Sequence, residues 1–518
     1  MTSPFPSPTE LGLPYPTWRV GQRTAIRHAL HASTPHVVIN APTGSGKSII
    51  ASALPRLAPE RRHVILTATK GLMDQYRQPF PFLTDLRGAG NYRCRAAVDE
   101  MKEWFPIRRR DRVMCDDGPC HVGESCTLKE DGCEYFDAKR AFIASQSGLT
   151  NYSAWLANRR AGQGLGSADM LVCDEAHALP EQLMSAYGVD VPMFLFDGKV
   201  APRGYKEWQR WAVQQLDQLA KTSDEERSGA KREQLSRGLK LLATMDETWA
   251  WDVGDRGYRF EPTIPRLLLP LLQTFDGTSR VVYLSATITP ATLEMLDVPE
   301  QDITYCTLPS SFPVARRPIY VVPGVRNDYR SMKHEGNRDR LAELIEDYCE
   351  LYDDRRGIIH SVSFSRAEEI YSAAMGYAYG GRMILHKRGV TASAFLCQFA
   401  QAGPTAIAVS PSLMTGFNFP YRAAEFQLVV KLPFPNTQSS IMKARIRSTP
   451  RYRDHHTMTH LVQACGRINR AEDDQGETVI LDSHMGWWYR DNRDLAPDWF
   501  DEAIVQTRRR ISPLPRLT

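Results

Sequence analysis

The chain has 518 residues, 42% hydrophobic and 24% charged, and 64 basic against 60 acidic side chains give a formal net charge of +4. That usage excludes disorder, collagen-like repeats and a coiled coil as descriptions of the whole, and the proline-broken apolar run at 267–272 falls far short of the roughly 20 residues a membrane helix needs. At about 150 residues per domain the length predicts three or four compact units, and the mild positive charge permits a nucleic-acid partner without requiring one.

The lead-in carries Pro4, Pro6, Pro8, Pro14 and Pro16 but no basic start followed by an apolar stretch. No secretion signal is expected there, and a cytoplasmic setting follows. Apolar segments then recur at 36–40, 63–67, 170–173, 280–284, 318–322, 357–360, 382–385, 406–409, 427–432 and 478–481. They lack apolar/polar alternation, as strands buried on both faces of a parallel sheet do. Helix-compatible stretches lie between most of them, which predicts an α/β protein with two sheets. Two segments interrupt the rhythm. One is cysteine-rich, over about 87–140; in the other, over about 178–260, Trp208, Trp211, Leu216 and Leu219 recur at helical spacing and predict a helical insertion.

The strongest local signal is Ala41-Pro-Thr-Gly-Ser-Gly-Lys-Ser48, directly after the segment at 36–40. Backbone N–H groups of Thr43, Gly44, Ser45 and Gly46 can cradle phosphates at a helix N-terminus, Lys47 can reach the β- and γ-phosphates, and Ser48 can hold Mg²⁺. Ala41 stands where the general pattern has its first glycine. A second signal is Met170-Leu-Val-Cys-Asp-Glu-Ala-His177, an apolar strand ending in acids. Asp174 suits a Mg²⁺ ligand, direct or through water, and Glu175 a carboxylate that polarises the attacking water. Near the C-terminus, Gln463-Ala-Cys-Gly-Arg-Ile-Asn-Arg470 sets Arg467 and Arg470 three apart, on one helical face, where they can stabilise charge on a transferring phosphoryl group.

On these motifs the chain resembles a superfamily 2 DEAH-type helicase, from about residue 15 to residue 485. Arg19 and Gln22 resemble the adenine-sensing motif. Thr67-Ala-Thr-Lys70 resembles motif Ia, Ser285-Ala-Thr287 motif III, the stretch 357–363 motif IV, 410–419 motif V and 463–470 motif VI. Motif V departs from the family, with Thr415 and Asn418 where acidic residues are usual. The resemblance implies two RecA-like motor domains, at 1–300 and 301–518, the first holding insertions at 87–140 and 178–260, the second of these arch-like.

Five of the ten cysteines, Cys94, Cys115, Cys120, Cys126 and Cys133, fall within 87–140, a pattern that favours a metal over disulfides in a non-secreted chain. Asn91-Tyr-Arg-Cys94 and Cys133-Glu-Tyr-Phe-Asp-Ala-Lys-Arg140, followed by Asn151-Tyr152, are similar to the iron–sulfur segment of the XPD/DinG helicases. The resemblance implies a [4Fe–4S] cluster on Cys94, Cys120, Cys126 and Cys133, with Cys115 as the spare or substitute ligand. A zinc site is the alternative, since Cys115-x4-Cys120 fits zinc spacing and His121 is a further donor. Cys173 is expected to be a small core residue.

The implied function is an ATP-dependent DNA helicase using ATP and Mg²⁺, moving 5′→3′ on single-stranded DNA and separating duplex at junctions. An RNA–DNA hybrid stays open as a track, and a monomer is favoured. The chain is short for a bacterial DinG, which suggests a compact phage- or mobile-element-like version. Arg87, Arg93, Arg95, Lys102, Arg108, Arg109, Arg110 and Arg112 surround the first cluster cysteine and are expected to meet phosphates near a strand-separating wedge. The rival readings are a translocase acting on RNA or displacing protein, and an ATP-switched nucleic-acid clamp with structural zinc.

Overall fold

The computed structural model describes residues 5–96, 113–121, 125–160, 164–196, 201–221, 229–272, 278–414, 419–468, 473–507 and 511–516. Arg470, Thr415, Asn418, Lys102, Arg108, Arg109, Arg110, Arg112 and the His121 side chain lie outside the described residues.

Among the described residues, seventeen strands form three sheets. β1 (His36–Asn40), β2 (His63–Thr67), β3 (Thr84–Leu86), β4 (Ser147–Asn151), β5 (Met170–Asp174), β9 (Arg280–Ser285) and β10 (Ile303–Thr307) make the first, in the order β10-β1-β9-β5-β2-β4-β3. Every pairing in it is parallel. Consecutive residues of these strands feed two cores on opposite faces. Val37, Ile39, Ile65, Val172 and Leu284 enter one, while Val38, Val64, Leu66, Leu171 and Tyr283 enter the other. Both faces are therefore buried, which is why the strands carry no polar alternation.

The second lobe repeats the plan. β11 (Ile319–Val325), β12 (Gly357–His360), β13 (Met383–Leu385), β14 (Ile407–Ser410), β15 (Phe426–Val429), β16 (Glu477–Asp482) and β17 (Ile504–Gln506) are ordered β13-β14-β12-β15-β16-β11-β17, again all parallel. Two lobes with buried parallel sheets match the expected α/β class. All ten apolar segments predicted as strands coincide with strands, within a residue or so at their starts.

The insertion between β5 and β9 is mixed rather than purely helical. Its helices Tyr205–Lys221 and Gly229–Ala243 pack on an antiparallel sheet of β6 (Val189–Pro192), β7 (Trp249–Gly254) and β8 (Gly257–Pro262), ordered β6-β8-β7. Trp208, fully buried, joins the layers, its ring 4.7 Å from Phe260 and 5.6 Å from Phe196. Two amphipathic helices leave an apolar face that needs a partner, and the aromatic hairpin supplies it. Among the described residues, no helix is long and apolar enough to cross a membrane.

Candidate active site

The phosphate loop leaves the end of β1 and turns into the helix Lys47–Leu57. Gly44 and Gly46 both have φ of 77°, the left-handed region that glycine enters without steric cost. The loop is braced from outside. Gln22 Nε2 donates to the Ser45 carbonyl at 2.8 Å, the Arg19 guanidinium donates to the Gly44 carbonyl, and Arg19 N donates to Gln22 Oε1 at 2.8 Å. A Cβ on Gly46 would lie 2.6 Å from Gln22 Nε2, so this brace needs glycine as much as the turn does.

Asp174 ends the central strand β5 and is 2% exposed. Its Oδ2 accepts from the Tyr76 hydroxyl at 2.9 Å, its Oδ1 from Glu175 N at 2.9 Å, and its carbonyl from the Tyr152 hydroxyl at 2.9 Å. Burial, then the charge of Glu175, pushes the Asp174 carboxyl up to about 6, against the opposing pull of Lys47 and Tyr76. A cation placed beside Asp174 and Glu175 therefore relieves two crowded carboxylates. Glu175 itself has φ of 53°, which turns it away from the strand line.

His177 joins the lobes. Its Nδ1 lies 2.8 Å from Ser285 Oγ and 3.3 Å from Glu175 Oε2, and its Nε2 meets the side-chain amide of Gln463. The amide nitrogen can only donate, so Nε2 accepts and the proton sits on Nδ1, shared between Ser285 and Glu175. Burial, ahead of the neighbouring charges, pushes His177 down to about 4, so the ring is neutral near pH 7.

From the second lobe, Arg467 Nε donates to the Met414 carbonyl at 3.1 Å. Burial lowers its pKa while the charge of Glu175 works in the opposite direction. Gly466 comes against the phosphate loop, where a Cβ would sit 3.2 Å from Thr43 Oγ1. Lys47, Asp174, Glu175, Gln463 and Arg467 thus share one interlobe cleft, together with the loop residues 43–48.

Several participants carry no sequence signal for this site. Tyr76, in the helix after motif Ia, anchors Asp174 through a side chain remote in sequence, as does Tyr152, which the sequence marked only beside the cysteine segment. Phe312, in the strap joining the lobes, rests its ring on Gly44, where a Cβ would be 2.1 Å away. Arg317, almost wholly buried, holds that strap by donating from Nε to the Phe312 carbonyl at 3.2 Å and from Nη1 to the Trp499 carbonyl.

The cysteine segment folds back on itself. Cys94 N donates to the Val113 carbonyl at 3.0 Å and Cys115 N to the Tyr92 carbonyl at 2.9 Å, setting Cys94 and Cys115 side by side across a short antiparallel bridge. The Cys115 thiol is within hydrogen-bond reach of Cys94 and Cys133, and this, with burial, drives its pKa far up. Burial, then the charges of Cys126, Cys133 and Cys94, pushes Cys120 up to about 11. Cys115 therefore lies beside Cys94 and Cys133, and Cys120 lies within electrostatic reach of Cys94, Cys126 and Cys133, so Cys115 is part of the group rather than apart from it. Thiols that suppress each other's ionisation fit a donor set awaiting a cationic group. Among the described residues, no three His, Cys, Asp or Glu side chains converge as they would around a single metal ion. Nearby, Arg87 pairs with Asp74 and lies 3.6 Å from Asp85, and Arg95 lies 3.1 Å from Glu134 in an exposed pair.

Residues 16–194 match the type III restriction enzyme res subunit family, and residues 345–503 match the helicase C-terminal domain family. The general transcription and DNA repair factor IIH helicase subunit XPD of Schizosaccharomyces pombe (strain 972 / ATCC 24843) is 28% identical over 105 residues, 19% of this chain and 13% of that protein. A solved XPD helicase superposes with a TM-score of 0.62 at 14% identity, covering 94% of this chain and 98% of its own. The S. tokodaii Xpd4 structure gives 0.56 at 15% identity, with the same coverage. The chain thus carries a domain of the type III restriction enzyme res subunit family and a helicase C-terminal domain, on a fold shared with the solved XPD helicases.

Proposed function

We propose that the protein is an ATP-dependent DNA helicase or translocase that moves 5′→3′ on single-stranded DNA in the cytoplasm, acting as a monomer at duplex junctions. The observation that carries this reading is the facing of Lys47, Asp174 and Glu175 on one lobe by Gln463 and Arg467 on the other. Such a site is complete only when the lobes are together, and a ligand that prefers the closed state drives a conformational cycle.

In this reading the N–H groups of residues 43–48 and the Lys47 ammonium bind the phosphates, and Arg19 and Gln22 hold the loop in shape for them. Ser48 and Asp174 would hold Mg²⁺, which neutralises phosphate charge. Glu175 orients the attacking water, and His177 keeps the Glu175 carboxylate in register through its Nδ1 proton. Arg467, with Arg470, stabilises charge on the γ-phosphoryl group, a contribution of about 10³ to 10⁵ in rate for an arginine finger. Opening DNA costs on average about 1.4 kcal/mol per base-pair step, a load within reach of one ATP.

The test is ATP turnover with and without single-stranded DNA in wild type and Lys47→Ala, followed by strand displacement on duplexes with 5′ or 3′ overhangs of DNA or RNA. Turnover stimulated by DNA, absent in Lys47→Ala and productive from a 5′ overhang, is expected. A Lys47→Ala protein that still hydrolyses ATP refutes the site. Unstimulated turnover favours the clamp, and an RNA preference favours the RNA translocase.

For the cysteine segment we propose a [4Fe–4S] cluster held by four of the five thiols. Four thiolates are the usual donor set of such a cluster. A bound cluster would cross-link a segment too small to hold its own shape. The contacts of Cys115 with Cys94 and Cys133 favour Cys115 as one of the four, in place of one of those expected from sequence. Visible absorbance and iron content of each Cys→Ser variant decide the four; a colourless, zinc-bearing wild type removes the cluster.

A further inference from the structure

A single helix of the second lobe, Tyr452–Cys465, carries a row of side chains that reach the first lobe. The Tyr452 hydroxyl donates to Glu181 Oε1 at 3.1 Å, and His456 Nε2 lies 3.5 Å from the same oxygen. His455 Nε2 is 2.8 Å from Thr292 Oγ1, in the helix that follows motif III, and Gln463 meets His177. Tyr452, His456 and Gln463 follow the i, i+4, i+11 spacing of one helical face.

Both helices in this contact are attached to chemistry. Glu181 sits in the helix Leu179–Ala186, just beyond Glu175 and His177, and the Tyr452–Cys465 helix runs directly into Arg467. His456 stacks on His460 with ring centroids 4.1 Å apart, so the imidazole facing Glu181 is held in place by its neighbour one turn on. Burial works against the Glu181 charge, but His456, His460, Arg445 and the Tyr452 hydroxyl outweigh it, and its pKa is lowered.

We propose that Glu181, with Tyr452 and His456, is an interlobe latch that stabilises the closed cleft and sets the position of Arg467 relative to Glu175. Glu181 is thus a positioning residue, acting through the helix that carries the arginine. The inference rests on reading the cleft as an ATPase site. The latch contacts exist only with the lobes together, so they raise the closed population, and apparent ATP affinity scales with that population.

The experiment uses the full chain as wild type, Lys47→Ala, Glu181→Ala, Glu181→Gln, Tyr452→Phe and the Glu181→Ala/Tyr452→Phe double variant. ATP turnover gives KM and kcat, and small-angle X-ray scattering with and without a non-hydrolysable ATP analogue gives the compaction on closure. Expected is a rise in KM of about tenfold in Glu181→Ala and Tyr452→Phe with a smaller change in kcat, a more open free protein, and a double variant no worse than Glu181→Ala. Glu181→Gln keeps an oxygen for Tyr452 and should lie close to wild type. If Glu181→Ala fails to fold, Tyr452→Phe, one hydroxyl smaller, carries the test. Wild-type KM and scattering in Tyr452→Phe, or fully additive effects in the double variant, overturn the latch. ATP turnover by Lys47→Ala instead overturns the ATPase reading, whatever the latch variants do.

Discussion

Gln427 on β15 is fully buried beneath the helix that ends in motif VI. Its Nε2 donates to the Ala464 carbonyl at 3.0 Å and to Thr478 Oγ1 at 2.8 Å, and its Oε1 accepts from His360 Nε2 at 2.9 Å. An amide oxygen only accepts, so His360 carries its proton on Nε2; burial, ahead of its other influences, pushes that ring down to about 4 and keeps it neutral. Gln427→Leu removes all three hydrogen bonds and strands their partners in dry surroundings. Each of the three stranded partners costs about 1–3 kcal/mol, and the added apolar burial offsets roughly 1–2 kcal/mol, leaving a net loss of about 1–8 kcal/mol. Ala464 lies between Gln463 and Arg467, so releasing its carbonyl also loosens the arginine. A tenfold fall in kcat for ATP, about 1.4 kcal/mol on the barrier, is the expected functional cost. Urea unfolding followed by the fluorescence of buried Trp488 reports the second lobe, and steady-state turnover reports the site. A stability change under about 0.5 kcal/mol, the range of ordinary surface substitutions, with unchanged kcat refutes the reasoning.

Gly44→Ala should weaken ATP binding severely, because its Cβ would meet the Phe312 ring at 2.1 Å at a φ of 77°. Adding Phe312→Ala should restore only the steric part, and full recovery of KM in the double variant would show that the backbone angle is immaterial. Burial pushes His455 down to about 3 and His456 down to about 4, with His177, Glu181, His460 and Arg445 among the groups facing them. Folded pKa values below the unfolded value of about 6.5 give stability that is complete above that pH and lost as pH falls towards 4. Between pH 6.5 and 5.5, wild type should lose about 1 kcal/mol more than His456→Gln in urea melts, and equal losses contradict the assignment. Asp252 accepts from Ser440 N and Ser439 Oγ, both at 2.5 Å, capping the helix Ser440–Ser448 from another part of the chain. Asp252→Ala should cost about 1 kcal/mol and speed hydrogen exchange in that helix's first turn; unchanged protection would contradict the cap.

The strands legible in sequence are those whose side chains are apolar on both faces, such as His63–Thr67 and Gly357–His360. Ser147–Asn151 escapes that criterion although most of it is buried, because its polar groups are satisfied inside the sheet: Thr150 Oγ1 donates to the Leu86 carbonyl at 2.7 Å, and Gly148 makes room for the Phe142 ring. Ile303–Thr307 lies at a sheet edge and is only partly covered, so it too lacks the signature. The hairpin inside 178–260 did carry a strand signal in its aromatic residues, which the helical spacing of Trp208 to Leu219 overshadowed. In the cleft, residues bound to phosphate chemistry announce themselves through spacing. Tyr76, Phe312 and Glu181 act across folds of the chain that no local pattern records. Cys115 is the same case, since only the antiparallel bridge brings it beside Cys94.

The mixed insertion gives the cleft a further mechanical connection. Its sequence starts and ends within the first lobe's run of strands, yet its hairpin touches the second lobe at three places: Asp252 on the helix Ser440–Ser448, Glu261 on Arg445, and Thr263 on Ser448. Arg445 and Glu261 are an ion pair with side chains only 8% and 13% exposed. Glu261 also accepts from Arg259 Nε at 3.0 Å, so one carboxylate ties the hairpin's own arginine to Arg445. Carrying the insertion along with the second lobe keeps these contacts, so in the proposed ATP cycle the hairpin would move with Arg445. The same arginine contributes to holding Glu181 charged. On the proposed reading of Arg467 as the group that meets the γ-phosphoryl, a displacement of Arg467 would be coupled, through two adjacent helices and one buried ion pair, to the insertion that touches both lobes.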